Sequence, residues 1–436
     1  STITLQGRNS TIQRESNAPE FRILAVASSG DLTLHSTTVS GGSAYDLPDD
    51  GGGVYNSGIL TLTNSTVSGN GSLGDGSGIA NTGTLTVSNS TVTDNYAVYG
   101  VGGGVFNSGT LTLTNSTVSG NSLYTGSYSY APGCGVFNSG TAILTNSTVS
   151  GNRSDGRGSC SGGGISNYGT LTLTNSTVSA NSGGGIYNGE RYYDPDRPIA
   201  ILTLSNSTVS GNTAGGVTNR KGTLLTLART LISGNKSYSA GSNVESSGTI
   251  VANNHNLFGH DGDAGVVGFS PGPTDIVPNE DLGAILKPLA DNGGPTKTRA
   301  LPAGSPAIDQ SPANSGCKPT DQRGVTRPQG AACDIGAFEK GPPVRCGGQI
   351  ARILGTAGND NSVSGTPGPD VIHGLAGRDT IDGLGGNDII CGGTGNDKLF
   401  GASGADALNG GSGTDTCNGG SGADTGVSCE TEISIP

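Results

Sequence analysis

One unit recurs through residues 51–258, and that recurrence constrains the fold more than any other feature of the chain. It reads GGGVYNSGILTLTNSTVSGN at 51–70. It returns as SGIANTGTLTVSNSTVTDN, GGGVFNSGTLTLTNSTVSGN, CGVFNSGTAILTNSTVSGN and GGISNYGTLTLTNSTVSAN. A longer copy ends LTLSNSTVSGN, and a degenerate one ends LTLARTLISGN at Asn235. Corresponding residues lie 21 to 31 positions apart. Such periods mark stacked coils, each burying its apolar face only against its neighbours.

Three columns of Asn punctuate the unit. The first is Asn56, Asn81, Asn107, Asn138, Asn167, Asn188 and Asn219. The second is Asn64, Asn89, Asn115, Asn146, Asn175 and Asn206, with Arg229 in seventh place. The third is Asn70, Asn95, Asn121, Asn152, Asn181, Asn212 and Asn235. Asn tolerates the left-handed backbone of a sharp corner, and its amide can bond the same amide one coil away. Ladders of this kind repeat at about 4.8 Å. In the first five copies the columns are spaced by eight and then six residues, so length variation is confined to the corner after the third column. Between corners the pattern alternates. Leu60 and Leu62 are expected inside, with Thr61 and Thr63 outside. Val67, Val92, Val118, Val149, Val178 and Val209 form a second inward column, and Val54, Ile79, Val105, Val136, Ile165, Ile186 and Val217 a third. Three short strands per coil predict an all-β, right-handed parallel β-helix, triangular in section, with its interior filled.

Composition agrees. Hydrophobic residues are 32% and charged residues 13% of the chain, with 79 Gly. A conventional core of this size draws on more of both, and disorder calls for high charge. The net charge of −12 supplies no basic stripe for nucleic acid and suits divalent cations. No apolar run is long enough for a transmembrane helix. The chain begins at Ser1 without any Met, as expected of a mature chain whose leader has been removed or of a sequence that starts late in its protein.

A second period begins near residue 346. Asp360 is followed after ten residues by Asp370, and then at intervals of nine by Asp379, Asp388, Asp397, Asp406, Asp415 and Asp424. The units GLAGRDTID, GLGGNDIIC, GGTGNDKLF, GASGADALN, GGSGTDTCN and GGSGADTGV resemble the RTX-like (hemolysin-type) calcium-binding repeat G-G-x-G-x-D-x-U-x. Glycines permit tight turns with carbonyl oxygens turned inward. The Asp carboxylates supply the hard oxygens that Ca²⁺ prefers. Ile372, Ile381, Ile390, Leu399 and Leu408 supply a small core. Each ion is expected between turns two repeats apart, coupling Asp370 with Asp388 and Asp379 with Asp397, and folding is expected to depend on several Ca²⁺ ions. Cys417 and Gly426 replace the aliphatic residue at the end, so the last sites are expected to be weak.

The eight Cys fall in local couples: Cys134 with Cys160, Cys317 with Cys333, Cys346 with Cys391, and Cys417 with Cys429. None has C-x-x-C spacing, so four disulfides in an oxidising compartment are expected. The opening TIQRESNAPEFRILAVASSGDLTL, the repeats, and the closing ADNGGPTKTRALPAGSPAID and TDQRGVTRPQGAACDIGAFE resemble bacterial choice-of-anchor β-helix surface proteins over roughly residues 1–339. That resemblance implies export and surface display rather than an activity. Members carry a longer N-terminal segment over the first coil. This chain starts inside the helix, so an uncovered first coil is expected. The expected domains are the β-helix at 1–258, an irregular C-terminal cap at 259–345 and the calcium-binding β-roll at 346–436.

Candidate chemistry outside the repeats is thin. Parallel β-helices also host pectate lyases, which cluster acids and a base on one face. Here the acids sit in loops: Asp46, Asp49 and Asp50; Asp155 beside Arg153 and Arg157; and the insertion Glu190–Pro198, which brings acids, Arg and Tyr together. The four His (His35, His255, His260 and His373) are scattered. Tyr55, Phe106, Phe137 and Tyr187, with Tyr192 and Tyr193 of the insertion, form a candidate contact surface for sugars or another protein, or lie under a loop. The outward rows Thr61/Thr63, Thr112/Thr114 and Thr172/Thr174 resemble ice-binding faces. Threonine is also simply favoured on exposed strands, and Ile143 and Ala228 interrupt the rows. The N-x-S/T triplets resemble glycosylation acceptors. Those in corner ladders are expected to be unavailable, with Asn9, Asn70, Asn152 and Asn235 freer.

These features predict a non-catalytic, extracellular structural or adhesive surface protein. Its uncovered first coil suggests a head-to-tail homopolymer in calcium-stabilised filaments, and cell-surface or matrix polysaccharide is a second candidate partner. The alternative is a secreted polysaccharide-binding or polysaccharide-degrading protein of the pectate lyase kind.

Overall fold

The computed structural model describes residues 2–45, 51–124, 133–155, 160, 162–189, 199–236, 242–252, 254–312, 316–341, 344–351, 353–355 and 358–435. The chain divides into two compact units. One comprises Ser1–Ala290, Thr298–Gln322 and Ala331–Glu339, and the other Asp291–Lys297, Arg323–Gly330 and Lys340–Pro436.

The first unit is an all-β stack of parallel coils. In one coil, Val54–Asn56, Ile59–Thr63 and Thr66–Ser68 are successive strands. Each pairs in parallel with its counterpart in the next coil: Val54 with Ile79, Leu60 with Leu85, and Val67 with Val92. The expected inward columns are buried: Leu60, Leu62 and their counterparts, the Val67 column and the Val54 column form one continuous aliphatic cluster. Outward Thr61 and Thr63 are half-exposed. At the N-terminal end, Thr2–Gln13 and Asp31–Ser40 run through the corner as single long strands, paired with one register slip between Gln6 and Ser10.

The corners differ from one another. First-column amides form a buried ladder, each Nδ2 donating to the Oδ1 of the next coil at 2.7–2.8 Å from Asn56 to Asn219. Third-column amides do the same at 2.9–3.0 Å from Asn70 to Asn235. The second column departs from expectation. Its residues take φ between 47° and 51°, and this left-handed turn carries the side chain out of the stack. The following Ser replaces it as the rung. Ser90, Ser116, Ser147, Ser176 and Ser207 are buried, and each Oγ accepts the backbone N–H of the Ser one coil earlier. The expected availability of N-x-S/T triplets is therefore reversed at Asn64, Asn89, Asn70, Asn152 and Asn235, while Asn9 is open as expected and second-column Asn175 and Asn206 are buried as expected. Asn64 and Asn89 are exposed, as is Asn9, whereas Asn70, Asn152 and Asn235 are buried rungs.

Two further features lay outside the three-strand expectation. After the third column, Ser43–Ala44, Gly71–Ser72, Tyr96–Val98, Ser122–Tyr124 and Arg153–Ser154 form a short fourth parallel sheet. Cys134 and Cys160 are bonded at this same variable corner, in a cluster with Ala97 and Leu123. The segment after residue 259 does more than cap. Phe269 packs on Phe258 with ring centroids 5.6 Å apart, and Asp275 receives the amide of Asn256, which covers the distal coil. The chain then turns back along the outside of the stack. Gln322 takes a hydrogen bond from Thr177 Oγ1 at 2.6 Å and gives one to Thr148 Oγ1 at 2.8 Å; Ala337 N–H donates to Thr208 Oγ1. Leu231, Leu257, Ile285, Leu286, Leu301, Ala307, Ile335 and Phe338 form a second apolar cluster there. Cys317–Cys333 closes this segment on itself.

The ladder makes a quantitative demand. Asn121 Oδ1 accepts from Asn95 N and Nδ2, and its Nδ2 donates to Val92 O and to Asn152 Oδ1. Each buried group left without a partner costs about 1–3 kcal/mol. Asn121→Ala should destabilise the flanking coils by roughly 3–5 kcal/mol, whereas Asn64→Ala loses only αL tolerance, about 1 kcal/mol. Hydrogen exchange of amides in the adjoining coils measures both. Equal protection in the two variants would contradict the assignment of the rungs.

Candidate functional site

The nonapeptide run folds into two facing parallel sheets. Ile353–Leu354, Val371–Ala376, Ile389–Thr394, Ala407–Ser412 and Thr425–Val427 form one. Val363–Ser364, Thr380–Asp382, Lys398–Phe400, Thr416–Asn418 and Thr431–Ile433 form the other. Successive nonamers alternate between sheets, so stacked turns are 18 residues apart. Ile372, Ile381, Ile390, Leu399 and Leu408 make the core, joined by Val363 and by Cys417 in the aliphatic slot. Cys417–Cys429 closes the last turns. Cys346–Cys391 fastens the hairpin at residues 345–350 to the strand Ile389–Thr394. All four local couples of Cys are bonded.

The Asp column lies in the turns between these strands. Asp379, Asp388, Asp397, Asp406, Asp415 and Asp424 are buried; Asp360 and Asp370, at the first turns, are half-buried. Carboxylates two repeats apart are coupled through the backbone. Asp370 N–H donates to Asp388 Oδ1 and Asp379 N–H to Asp397 Oδ1, both at 2.8 Å, and the pattern continues to Asp406 and Asp424. At the end of the column Glu430 Oε2 receives Asp415 N–H. It is a rung that the nine-residue period does not reveal, because it lies six residues after Asp424.

The second carboxylate oxygen has a different fate. Oδ2 of Asp379, Asp388, Asp397, Asp406, Asp415 and Asp424 is buried with no hydrogen-bond donor. Asp370 departs from the set, since its Oδ2 is taken up by Thr366 N–H at 2.6 Å and Thr366 Oγ1 at 2.9 Å. A glycine five residues before each Asp makes the seat. A Cβ on Gly374 would meet Asp379 Oδ2, and one on Gly401 would meet Asp406 Oδ2. The fourth-position carbonyls stack on the next turn, so a Cβ at Gly395 would strike Gly377 O. Burial pushes the carboxyls of Asp379 and Asp388 up to about 6, with the charges of stacked neighbours adding to the effect; Asp397 and Asp406 are raised for the same reasons. Buried, donorless carboxylate oxygens beside glycine carbonyls fit a hard cation. Among the described residues no three His, Cys, Asp or Glu side chains gather. A bound ion would therefore take carboxylate oxygen from Asp379 through Asp424 and backbone oxygen for the rest, the mixed oxygen set that Ca²⁺ accepts. Calcium supplies the positive charge that lets these carboxylates ionise while buried.

The candidate contact residues are only partly brought together. Phe106 and Phe137 are stacked with centroids 5.5 Å apart. Tyr168, which the outward pattern did not mark, continues the row at 5.2 Å from Phe137, and Tyr187 follows 5.8 Å further. Arg220 lies over Tyr187. Phe137 is 1% exposed, so the centre of the row is packing rather than open surface. Ala80 separates Tyr55 from the row, and Arg22 lies over the Tyr55 ring. Tyr192, Tyr193 and the rest of 190–198 lie outside the described residues, as do Asp46, Asp49, Asp50 and Arg157. Arg153 and Asp155 form an ion pair at 2.8 Å. The more open aromatics stand beside the fourth sheet, where Tyr99 and Tyr124 are 65% and 38% exposed. Irregular spacing at the variable corner hid them from periodicity.

Residues 22–194 match the family model described as right handed beta helix region. Residues 354–390, 364–399 and 392–425 match that described as RTX calcium-binding nonapeptide repeat (4 copies). No curated protein matches the chain. Among solved structures, the crystal structure of pectate lyase Pel9A is similar with a TM-score of 0.40 and 16% identity, over 78% of this chain and 83% of that one. Among the described residues no helix is long and apolar enough to cross a membrane.

Two outcomes follow from the Asp column. A carboxyl raised from 3.8 to about 6 in the fold holds its proton longer than in the unfolded chain, so the metal-free unit loses stability as pH rises from about 4 to about 6. Without calcium, exchange protection of residues 372–427 should be greater at pH 4.5 than at pH 7.5, and added calcium should reverse that order. Protection that rises with pH in the metal-free protein would contradict this. Cys346–Cys391 spans 45 residues and encloses four of the Asp, removing about 4 kcal/mol of unfolded-chain entropy in the loop-closure model. Cys346→Ser with Cys391→Ser should raise the calcium concentration at half-folding roughly threefold or more, read by circular dichroism. The chain therefore unites a right-handed β-helix region with RTX calcium-binding nonapeptide repeats, a pairing typical of secreted and surface proteins.

Proposed function

We propose that the protein is a non-catalytic, extracellular structural or adhesive component of a cell surface, held folded by ambient calcium. The observation that carries this reading is the Asp column. Six buried carboxylate oxygens without donors, cross-braced by two disulfides, suit a medium that is both calcium-rich and oxidising. The β-helix unit supports the non-catalytic part, since its regular strands present Thr and Ser outward rather than paired acids and bases.

The filament form of this proposal has weaker support. Stacking coils head to tail needs an open coil at both ends. Phe269 and Asp275 cover the distal coil. The proposal therefore centres on display and adhesion. A second reading, polysaccharide binding, draws on Phe106, Tyr168 and Tyr187, which are half-exposed in one row beside Arg220; rings of this kind stack on sugar faces.

The full chain incubated with whole cells and with acidic polysaccharides, in calcium and after chelation, tests the proposal. Calcium-dependent retention on cells with intact polysaccharide is the expected result. Calcium-dependent chain cleavage would replace the proposal with an enzymatic one. Retention on soluble polysaccharide that Tyr187→Ala abolishes would favour the second reading.

A further inference from the structure

We propose that the outward face of the five-residue strands binds ice. The proposal goes beyond surface display and holds whether or not the chain is displayed. The strands Ile59–Thr63, Thr84–Ser88, Thr110–Thr114, Thr141–Thr145, Thr170–Thr174, Ile201–Ser205 and Leu224–Ala228 pair in continuous register without a bulge. Their first, third and fifth residues all point away from the core. Sequence alone suggested two broken rows, whereas the register sets out three ranks across seven coils. Of these 21 outward positions, 14 are Thr, two are Ser and five are aliphatic; none is charged, aromatic or an amide. None is buried. Ile143 interrupts the middle rank while keeping its methyl group, and Ala228 stands at the edge of the array.

A second observation separates this face from ordinary strand surface. The next outward Thr row, on the three-residue strands, is buried at Thr148, Thr177 and Thr208 beneath the returning segment, which bonds all three hydroxyls. Among the described residues, none of the 21 positions in the three ranks is buried or bonded by the returning segment. Within them, the Thr174–Ser205 contact at 3.2 Å is the one hydroxyl pair among the described residues.

The chemistry selects the ligand. Sugar sites use aromatic faces and convergent charged or amide groups, and partners of opposite charge need charge; these strands offer neither on this side. They offer methyl groups, which restrict the first water layer, next to hydroxyls that give and accept hydrogen bonds. The ranks repeat at about 4.8 Å between coils and about 6.7 Å along the strand, a scale shared with the oxygen lattice of ice. Water held in that array is already arranged for merging with an ice face, and many weak contacts made together give firm adsorption.

The test uses the full chain in calcium, fluorescently labelled and exposed to a slowly growing ice surface, with recrystallisation followed in parallel. The expected result is incorporation into ice and arrested grain growth. Thr112→Lys with Thr172→Lys should lower incorporation at least tenfold with an unchanged circular dichroism spectrum, while Thr66→Lys, on a different row, should leave it intact. If the double lysine variant misfolds, Thr112→Val with Thr172→Val keeps the shape and removes the hydroxyls, and should still lower incorporation severalfold. Exclusion of the wild type from ice overturns the proposal. So does incorporation that the folded rank variants leave unchanged. Adsorption to crystalline cellulose or chitin in place of ice would assign the face to polysaccharide and overturn it equally.

Discussion

The buried side-chain amide is the interaction on which the β-helix depends. A coil must turn sharply at each corner, and a turn leaves backbone groups facing inward that water cannot reach. Asn at the first and third corners meets that need with one side chain, which serves its own coil and the next. Asn107 Nδ2, for instance, reaches Asn138 Oδ1 and also the carbonyl oxygens of Gly109 and Thr141. Losing a rung strands partners in two coils, so the rungs tie each coil to the register of its neighbour. The aliphatic columns inside and the threonine ranks outside inherit that register.

The two units answer the same stacking problem with opposite chemistry. An amide carries donor and acceptor together, so a column of identical Asn residues satisfies itself and remains neutral. A carboxylate carries acceptors only. In the nonapeptide unit, from Asp379 through Asp424, one oxygen of each column Asp is satisfied by a backbone N–H from the stacked turn, and the other is left bare. The column is therefore complete only when something positive joins it, either a proton or a metal ion. One unit can form from the chain alone, while the other draws a component from its medium.

Much of this was legible in the sequence because both repeats are nearly invariant at the buried positions. Leucine and valine columns, the Asp spacing and the four cysteine couples follow from counting. What escaped counting has physical causes. The second Asn column has the same residue and spacing as the other two. Only the left-handed backbone at Asn64 and its counterparts turns the amide outward and hands the rung to serine. The fourth sheet and the exposed Tyr99 and Tyr124 lie where coil lengths differ, so no period marks them. Thr148, Thr177 and Thr208 read as surface because their cover, Gln322 and Ala337, lies more than a hundred residues further along the chain. Phe137 reads as an outward ring, and its neighbours Phe106 and Tyr168 enclose it.

The amide ladders also have a direction. From rung to rung, every Nδ2 donates to the side chain on its C-terminal side, from Asn56 through to Asn219 and on to Ser246 Oγ, and from Asn70 through Asn235 to Asn243 Oδ1. At each of these corners an inner coil thus accepts a rung-to-rung hydrogen bond from its predecessor and passes one of the same kind to its successor. A duplicated coil inserted anywhere between would meet the same demands and make the same offers, while Ser246 and Asn243 would still terminate the two chains of donors. Coil number is thereby released from the chemistry of folding. The gene can lengthen or shorten the stack by whole repeats, adjusting the extent of the threonine array without redesigning either end.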